Sequence, residues 1–382
     1  CTVTENGDTD TRRLVQKINR LNPQARIALI GCQAQIQKEK LANWPNVRWV
    51  VGNAVKMDFK SIIENNEENT SAKVIVPTIS RDPFTIPTAG IDHHHTRANL
   101  KIQDGCDFFC SFCEIPYARG RARSRVFEDI LLEANALVNA GHKELVITGI
   151  NVGTYTHQGR SFLDVILALE QIDGLKRIRV SSIEPTTIPK ELIKKMSQQS
   201  KLCRYLHIPL QSASNEILKL MKRKYTLEEF DDFIQFVFST VPEVCLGTDV
   251  IVGFPGETEE IFLKTTEYLK KSPIHYFHVF SYSKRTMARS QDFNNSVSPK
   301  DIQRRSEILR ELSQRKRRVF YESFIGTTQK VLFEQSKNDP WAGLTDQYIR
   351  VKVKNNNFLV NQLLDVRLEK IEGQFIVGSL LR

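Results

Sequence analysis

Cys106, Cys110 and Cys113 lie within eight residues of one another in GCDFFCSFC and account for three of the seven cysteines. Thiolates are soft donors that select zinc, copper(I) or iron–sulfur clusters, and three on one short loop can converge on one centre. A disulfide uses two of them, and a structural zinc wants a fourth Cys or His. The nearest histidines, His93, His94 and His95, end eleven residues upstream of Cys106. Zinc ligands of one knuckle stand only about two to four residues apart, and a histidine run in a proline-containing stretch reads as solvated. A cubane [4Fe–4S] cluster would use the same three thiolates differently, leaving one iron open to a substrate or cofactor.

Such a loop needs a scaffold that presents it at an edge. NLKIQDG leads into it with the composition of a strand, and five more strand signals follow: ELVITGIN, KRIRVSSI, YLHIPLQS, CLGTDVIVGF and YFHVFSYS. Amphipathic stretches such as VFEDILLEANALVNAG and SFLDVILALEQI lie between them. Strands alternating with helices predict parallel pairing through crossover helices. Six such units fall short of the eight of a closed barrel, so a partial (β/α)6 barrel is expected over 98–322. Asn151, Ser182, Glu184, Gln211 and Asp249 stand at or just past strand ends, the edge on which parallel barrels build their sites.

Upstream, residues 1–65 read as a small α/β domain, with an apolar stripe at Leu14, Val15, Ile18 and Leu21 and a buried-strand run RIALIGC. Residues 66–97 are polar and proline-containing and read as a linker. A basic helix over 299–323 trails the barrel. Then QKVLFEQ, QYIRVKV, LLDVRLEKI and QFIVGSLL predict a compact β-barrel over 323–382, of a kind that often grips single-stranded nucleic acid. The fold class is α/β: an N-terminal α/β domain, a central partial barrel and a small C-terminal β-barrel.

With 41% hydrophobic and 26% charged residues over 382 positions, the chain is no disordered polymer. No apolar run reaches the roughly 20 residues of a membrane span. Seven unevenly clustered cysteines point to metal chemistry in a reducing cytoplasm rather than to a disulfide scaffold. Lys and Arg number 54 against 44 Asp and Glu, a net charge of +10. The excess gathers in RGRARSR (119–125), KLMKRKY (219–225), KRTMAR (284–289) and RELSQRKRRVF (310–320), tracks that suit a polyanion such as nucleic acid. The chain begins on Cys1 without a Met and is expected to be a fragment of a longer protein.

The cysteine spacing, with aromatic Phe112 just before the third Cys, resembles the signature of radical S-adenosylmethionine enzymes. CDFFCSFCEIPYARGRARSR, SSIEP, HIPLQSASNEILKLMKRKYT, GTDVIVGFPGETEE and FHVFSYSKR follow in the order found in the methylthiotransferases of that superfamily, and the resemblance covers essentially the whole chain. It implies a C-terminal TRAM domain and a [4Fe–4S] cluster on Cys106, Cys110 and Cys113 whose open iron chelates S-adenosylmethionine. One electron then cleaves the sulfonium to methionine and a 5′-deoxyadenosyl radical. It also implies a second [4Fe–4S] cluster in the N-terminal domain, with Cys1 and Cys32 as the later two of three ligands and the first upstream of residue 1. Without the resemblance, Cys32 reads as an ordinary buried cysteine after a strand, and Cys203 and Cys245 as core residues.

Three branches of that family act on isopentenyladenosine in tRNA, on threonylcarbamoyladenosine in tRNA, and on an aspartate of a ribosomal protein. IPYARGRARSR and SSIEP resemble the threonylcarbamoyladenosine branch, which replaces C2–H of the modified adenosine at position 37 with a methylthio group; Glu114 departs from the apolar or Thr residue expected there. The threonylcarbamoyl group carries a carboxylate, for which a bidentate guanidinium is the natural partner. Arg119, Arg121, Arg123 and Arg125 are therefore the expected substrate-binding residues. For S-adenosylmethionine, Phe112 borders the site, Gly149 and Asn151 are expected at the amino end, Ser182, Glu184 and Gln211 at the ribose and carboxylate, and Gly253 against the adenine.

The implied partners are a tRNA anticodon stem-loop, gripped by the TRAM barrel and the basic helix, and an electron donor such as flavodoxin or ferredoxin, acting on a cytoplasmic monomer. The alternatives are the isopentenyladenosine and ribosomal-protein branches and, from another class, a non-catalytic RNA-binding protein with a structural metal.

Overall fold

A computed structural model describes residues 4–64, 71–87, 96–334, 340–354 and 358–381. Near the N-terminus, Thr4 caps helix α1 (Glu5–Leu21), its hydroxyl accepting from the Gly7 amide at 3.3 Å. Strands β1 (Ile27–Ile30), β2 (Val47–Val51) and β3 (Lys73–Ile75) form a parallel sheet in that order. Gly31, at φ +104°, turns the chain straight from β1 into helix α2 (Cys32–Ala42), so Cys32 is the first helical residue. Val15, Ile27, Leu41, Val47 and Val50 fill the core of this unit.

The stretch expected as a linker is only partly one. Lys73–Ile75 joins the N-terminal sheet because its β-branched Val74 and Ile75 extend the apolar surface of β2. Phe84 lies against the barrel, its amide donating to the Ser124 carbonyl at 3.1 Å.

All six expected barrel strands form: β4 (Arg97–Lys101), β5 (Glu144–Thr148), β6 (Arg177–Val180), β7 (Tyr205–His207), β8 (Cys245–Val252) and β9 (Tyr276–Ser281). They pair in parallel as two three-stranded sheets, β4–β5–β6 and β7–β8–β9. Isolated bridges Ile178–Leu202 and Ser182–His207 stitch the seam between them. Alternate residues such as Leu100, Ile102, Leu145, Ile147 and Ile178 meet the surrounding helices in one continuous core. The intervening set, Arg97, Glu144, Arg179, Tyr205, His207, Asp249 and Tyr276, is polar. Helices α3 (Leu227–Thr240) and α4 (Glu259–Lys271) pack outside; α3 starts from a reciprocal capping box between Thr226 and Glu229. The basic helix α5 (Pro299–Glu322) lies along β9, with the Ser313 hydroxyl accepting from the Phe277 amide at 2.8 Å and donating to its carbonyl at 2.7 Å.

The C-terminal unit is a closed five-stranded barrel. The four expected strands are present as β10 (Thr328–Phe333), β12 (Arg350–Val353), β13 (Leu363–Glu372) and β14 (Phe375–Leu380); β11 (Trp341–Leu344) is additional, too short and Gly-containing to signal itself. This barrel is bolted to the central one. Arg177 donates to the carbonyls of Leu344 and Lys330 at 2.9 and 2.6 Å, and Arg179 to those of Asp346 and Thr345 at 2.8 and 3.1 Å. The Glu144 carboxylate, buried and held below its ordinary range by Arg179 against the pull of desolvation, accepts from Arg179 at 2.7 Å. Tyr348 stacks on Tyr205 with ring centroids 4.9 Å apart. Among the described residues no helix is long and apolar enough to cross a membrane.

Candidate functional site

The loop bearing Cys106, Cys110 and Cys113 leaves the end of β4 and is held in place by backbone contacts. Gly105 sits at φ +74°, and a Cβ there would fall on the Arg121 carbonyl, so only glycine lets the two segments close. The Cys106 amide donates to the Gly120 carbonyl at 3.2 Å. Ser111 donates through its amide to Met221 O at 3.0 Å and through its hydroxyl to Leu220 O at 2.8 Å. Its own carbonyl accepts from the Ser290 amide at 2.9 Å.

Gln103, a fully buried residue that the sequence reading passed over, braces the same region. Its Nε2 donates to the Gly105 carbonyl at 2.8 Å, and its Oε1 accepts from the amides of Ile150 and Asn151, both at 2.9 Å. The available signal was a neutral amide side chain directly after the apolar positions of β4. Gly149 is small for this reason: a Cβ would press on Gln103 and Val152.

Cys32, Cys106, Cys110, Cys113, Cys203 and Cys245 are free thiols, and Cys203 and Cys245 are core residues as expected. Burial is the largest influence on the three loop thiols, pushing Cys106 up to about 11 and Cys113 up to about 12, with Cys110 also raised. A thiolate at Cys110 further disfavours those at Cys106 and Cys113, and one at Cys106 that at Cys113. A cationic iron centre removes that penalty by taking the charge directly. Among the described residues no three His, Cys, Asp or Glu side chains converge on a single ion position. A cubane instead attaches each thiolate to a different iron, so the donor set suits a cluster.

Two more residues complete the shell around Cys110. Arg223 donates to Cys110 Sγ at 3.3 Å, pairs with the Glu184 carboxylate and donates to the Tyr225 hydroxyl at 3.1 Å. Glu184, expected at the ribose and carboxylate of S-adenosylmethionine, is engaged by Arg223 beside Cys110.

A cavity of about 190 Å³ opens next to Cys113, lined by Phe112, Gln211, Asp249, Ile251, Tyr282 and, from the N-terminal unit, Thr4. Gln211, at φ +67°, has a buried Oε1 without a hydrogen-bond partner. Buried Asn151 holds Thr187 through its Oδ1 at 3.0 Å while its Nδ2 is unpartnered. The orphaned Gln211 oxygen in a cavity that Cys113 also lines fits a polar ligand such as S-adenosylmethionine, because leaving such a group unpaired costs about 1–3 kcal/mol. Ser182 instead lines a second cleft, with Arg97, His207 and His278, that shares Asp249 and Phe280 with the first. Gly253 faces the other way: at φ +79° it packs beneath Ile302 of α5, and its amide donates to Glu257 at 2.7 Å.

The four arginines separate. Arg125 is 1% exposed and spends its guanidinium on Asp129, Glu133 and the Lys101 carbonyl, which makes it a core ion pair with no edge free for a ligand. Arg119 and Arg123 flank Asp104 at 3.7 and 3.4 Å. Arg121 is 42% exposed, pairs with the open Asp107 at 2.5 Å and stacks on Phe109 with 4.9 Å to the ring centroid.

Cys32 faces the same region: Asn53 Nδ2 lies 3.4 Å from its sulfur and 2.7 Å from the Ala118 carbonyl, five residues past Cys113. Cys1 lies outside the described residues, as do His93, His94 and His95.

Residues 100–269 match the radical SAM superfamily. The threonylcarbamoyladenosine tRNA methylthiotransferase MtaB of Aquifex aeolicus is 37% identical over 354 residues, 92% of this chain and 85% of the relative. That of Bacillus subtilis is 35% identical across 98% of this chain and 86% of its own length. The tRNA-2-methylthio-N(6)-dimethylallyladenosine synthase of Thermodesulfovibrio yellowstonii is 31% identical, with 96% and 84% covered. Among solved structures, the radical S-adenosylmethionine methyltransferase TsrM of Kitasatospora setae superposes with a TM-score of 0.59 at 14% identity, over 74% of this chain and 60% of that one, a likeness of fold. With a cysteine loop at the strand-end edge of six parallel strands and these relatives over nearly its whole length, the chain belongs to the MtaB-type family of radical S-adenosylmethionine methylthiotransferases.

Proposed function

We propose that this chain places a methylthio group on C2 of N6-threonylcarbamoyladenosine at position 37 of tRNA. In this reading Cys106, Cys110 and Cys113 hold a [4Fe–4S] cluster that binds S-adenosylmethionine. The observation that carries it is a loop of three free thiols whose last member, Cys113, lines a cavity bearing the orphaned Gln211 oxygen. When bound, the cluster and S-adenosylmethionine supply the one-electron chemistry that opens the C2–H bond.

The chain's own residues bind, orient and exclude water. The Gln211 amide offers a hydrogen bond to the cofactor's polar end, and Phe112 with Ile251 gives the cavity an apolar wall. Arg121, exposed and stacked on Phe109, is the arginine best able to turn toward a substrate carboxylate, with Arg119 and Arg123 behind it. The names of the relatives from Aquifex aeolicus and Bacillus subtilis support the threonylcarbamoyl substrate. The 31% identity to a dimethylallyladenosine enzyme keeps that base as a second reading.

A second [4Fe–4S] cluster would draw on Cys32, the first residue of α2, and on Cys1. The C-terminal barrel, read as a TRAM domain, and exposed Arg310, Arg315 and Arg318 on α5 would grip the anticodon stem-loop backbone. A flavodoxin or ferredoxin would deliver electrons to a cytoplasmic monomer.

Mass spectrometry of tRNA nucleosides from a deletion strain tests the substrate. Loss of 2-methylthio-N6-threonylcarbamoyladenosine with the dimethylallyl product intact is expected, and the reverse pattern would favour the second reading. Anaerobic reconstitution tests the cluster: a colourless, zinc-binding product would support the non-catalytic class instead.

A further inference from the structure

We propose that Arg223 is a positioning residue that sets the reduction potential of the centre held by Cys106, Cys110 and Cys113, by donating to the Cys110 sulfur and screening it from Glu184. The inference rests on the cluster reading above and adds a residue and a property to it.

Arg223 belongs to KLMKRKY, one of the basic tracks that suit nucleic acid, yet its side chain is only 2% exposed. Lys219, Lys222 and Lys224 around it are exposed, so within this track the buried arginine serves something internal. Its guanidinium makes three bonds in three directions: Nη1 to Cys110 Sγ at 3.3 Å, Nη2 to the Glu184 carboxylate, and Nε to the Tyr225 hydroxyl at 3.1 Å. The Tyr225 ring supports the guanidinium from 5.0 Å, and its hydroxyl donates to the carbonyls of Pro209 and Leu210 at 2.7 and 2.9 Å. Those carbonyls immediately precede Gln211 of the cavity. One side chain thus ties together the cysteine loop, the segment after β6 and the segment after β7.

The electrostatics follow from the placement. Glu184 disfavours negative charge on Cys106 and Cys110, and Arg223 favours it on Cys110 and Cys113. Hydrogen bonds to ligating sulfur and nearby positive charge raise a cluster's potential; nearby negative charge lowers it. In a desolvated site these effects are screened far less than at a surface. Lys cannot reproduce the fork that reaches Cys110 and Glu184 together, but it keeps the charge.

The test is redox titration followed by electron paramagnetic resonance, on the full chain in a Cys32→Ala background so that one cluster is read. Arg223→Gln should shift the midpoint to more negative potential, Glu184→Gln to more positive potential, and the double variant should return toward the parent. Arg223→Lys should lie between parent and Arg223→Gln. Iron content per chain is measured in parallel. Variants that keep their iron with an unmoved midpoint, or lose iron while the remaining clusters titrate as the parent does, overturn the inference alone. Failure of the parent chain to assemble any cluster overturns the cluster reading, and this inference with it.

Discussion

Asp8 and Arg285, 277 positions apart, form an ion pair at 2.7 Å. The same guanidinium lies 3.2 Å from Glu114, whose other oxygen accepts from the Met287 amide at 2.8 Å. One buried cation therefore joins the first helix, the residue after Cys113 and the segment after β9. Glu114 departs from the apolar or Thr residue that the family resemblance suggests, and this linkage is its structural role. Asp8→Ala should cost about 1–3 kcal/mol, the range for removing one partner of a buried polar contact. An Asp8/Glu114 double-mutant cycle, read by urea unfolding, should give a coupling energy of about 0.5–3 kcal/mol, as expected for residues sharing a partner. Simple additivity would show that the N-terminal unit is not held through this residue.

Gly105→Ala is expected to abolish iron binding while leaving the circular dichroism spectrum nearly unchanged. The added methyl group meets the Arg121 carbonyl, and φ +74° is unfavourable for alanine, so the cysteine loop must shift. Iron and sulfide analysis after reconstitution is the measurement; a full iron complement in the variant would contradict the steric account.

The arginines of RGRARSR should divide into two classes. Arg125→Ala strands Asp129 and Glu133 near a buried cavity and should destabilise the fold by about 3–5 kcal/mol, without altering the preference between modified and unmodified anticodon stem-loops in the molecules that fold. Arg121→Ala should cost under about 1 kcal/mol, as exposed pairs do, and should erode that preference. Thermal melts and turnover on the two stem-loops separate the classes; unchanged selectivity on replacing Arg119, Arg121 and Arg123 would remove them from the substrate site.

His275 gives stability a pH dependence. Burial, aided by Lys316, holds its imidazole down at about 4, while Phe320 packs at 4.1 Å and the Leu246 amide donates to its Nδ1 at 3.1 Å. The unfolded chain takes up a proton near pH 6.5 that the folded chain refuses until about pH 4, so stability is full above 6.5 and falls as pH drops between these values. The loss attributable to this group is about 3 kcal/mol at most. Denaturant midpoints across pH 4–7 should decline more steeply in the parent than in His275→Gln; identical slopes would place the titration elsewhere.

Strand periodicity and cysteine spacing carried much of the architecture because both are local. Six β/α units can be read from NLKIQDG to YFHVFSYS, and Cys106, Cys110 and Cys113 mark themselves. What the sequence hides is direction. Arg121 and Arg125 are two positions away from Arg123 on either side, yet Arg121 points to solvent and Arg125 lies under the Tyr155 hydroxyl, which donates to its carbonyl at 2.9 Å. Arg223 looks like its lysine neighbours until the fold buries it against Cys110. Gly253 shares a motif with strand β8 but serves the packing of Ile302, since which side of a turn meets a helix depends on a segment some fifty residues later.

The contacts of Arg177 and Arg179 with the C-terminal barrel change what the central barrel is. Its polar interior ends not in water but on the carbonyls of Lys330, Leu344, Thr345 and Asp346, so the vessel is a cup whose floor is supplied by another domain. Cutting the chain after α5 would remove acceptors from two buried guanidinium groups beside Glu144 and let solvent in from below. The C-terminal barrel is therefore structural masonry for the central barrel as well as a surface of its own.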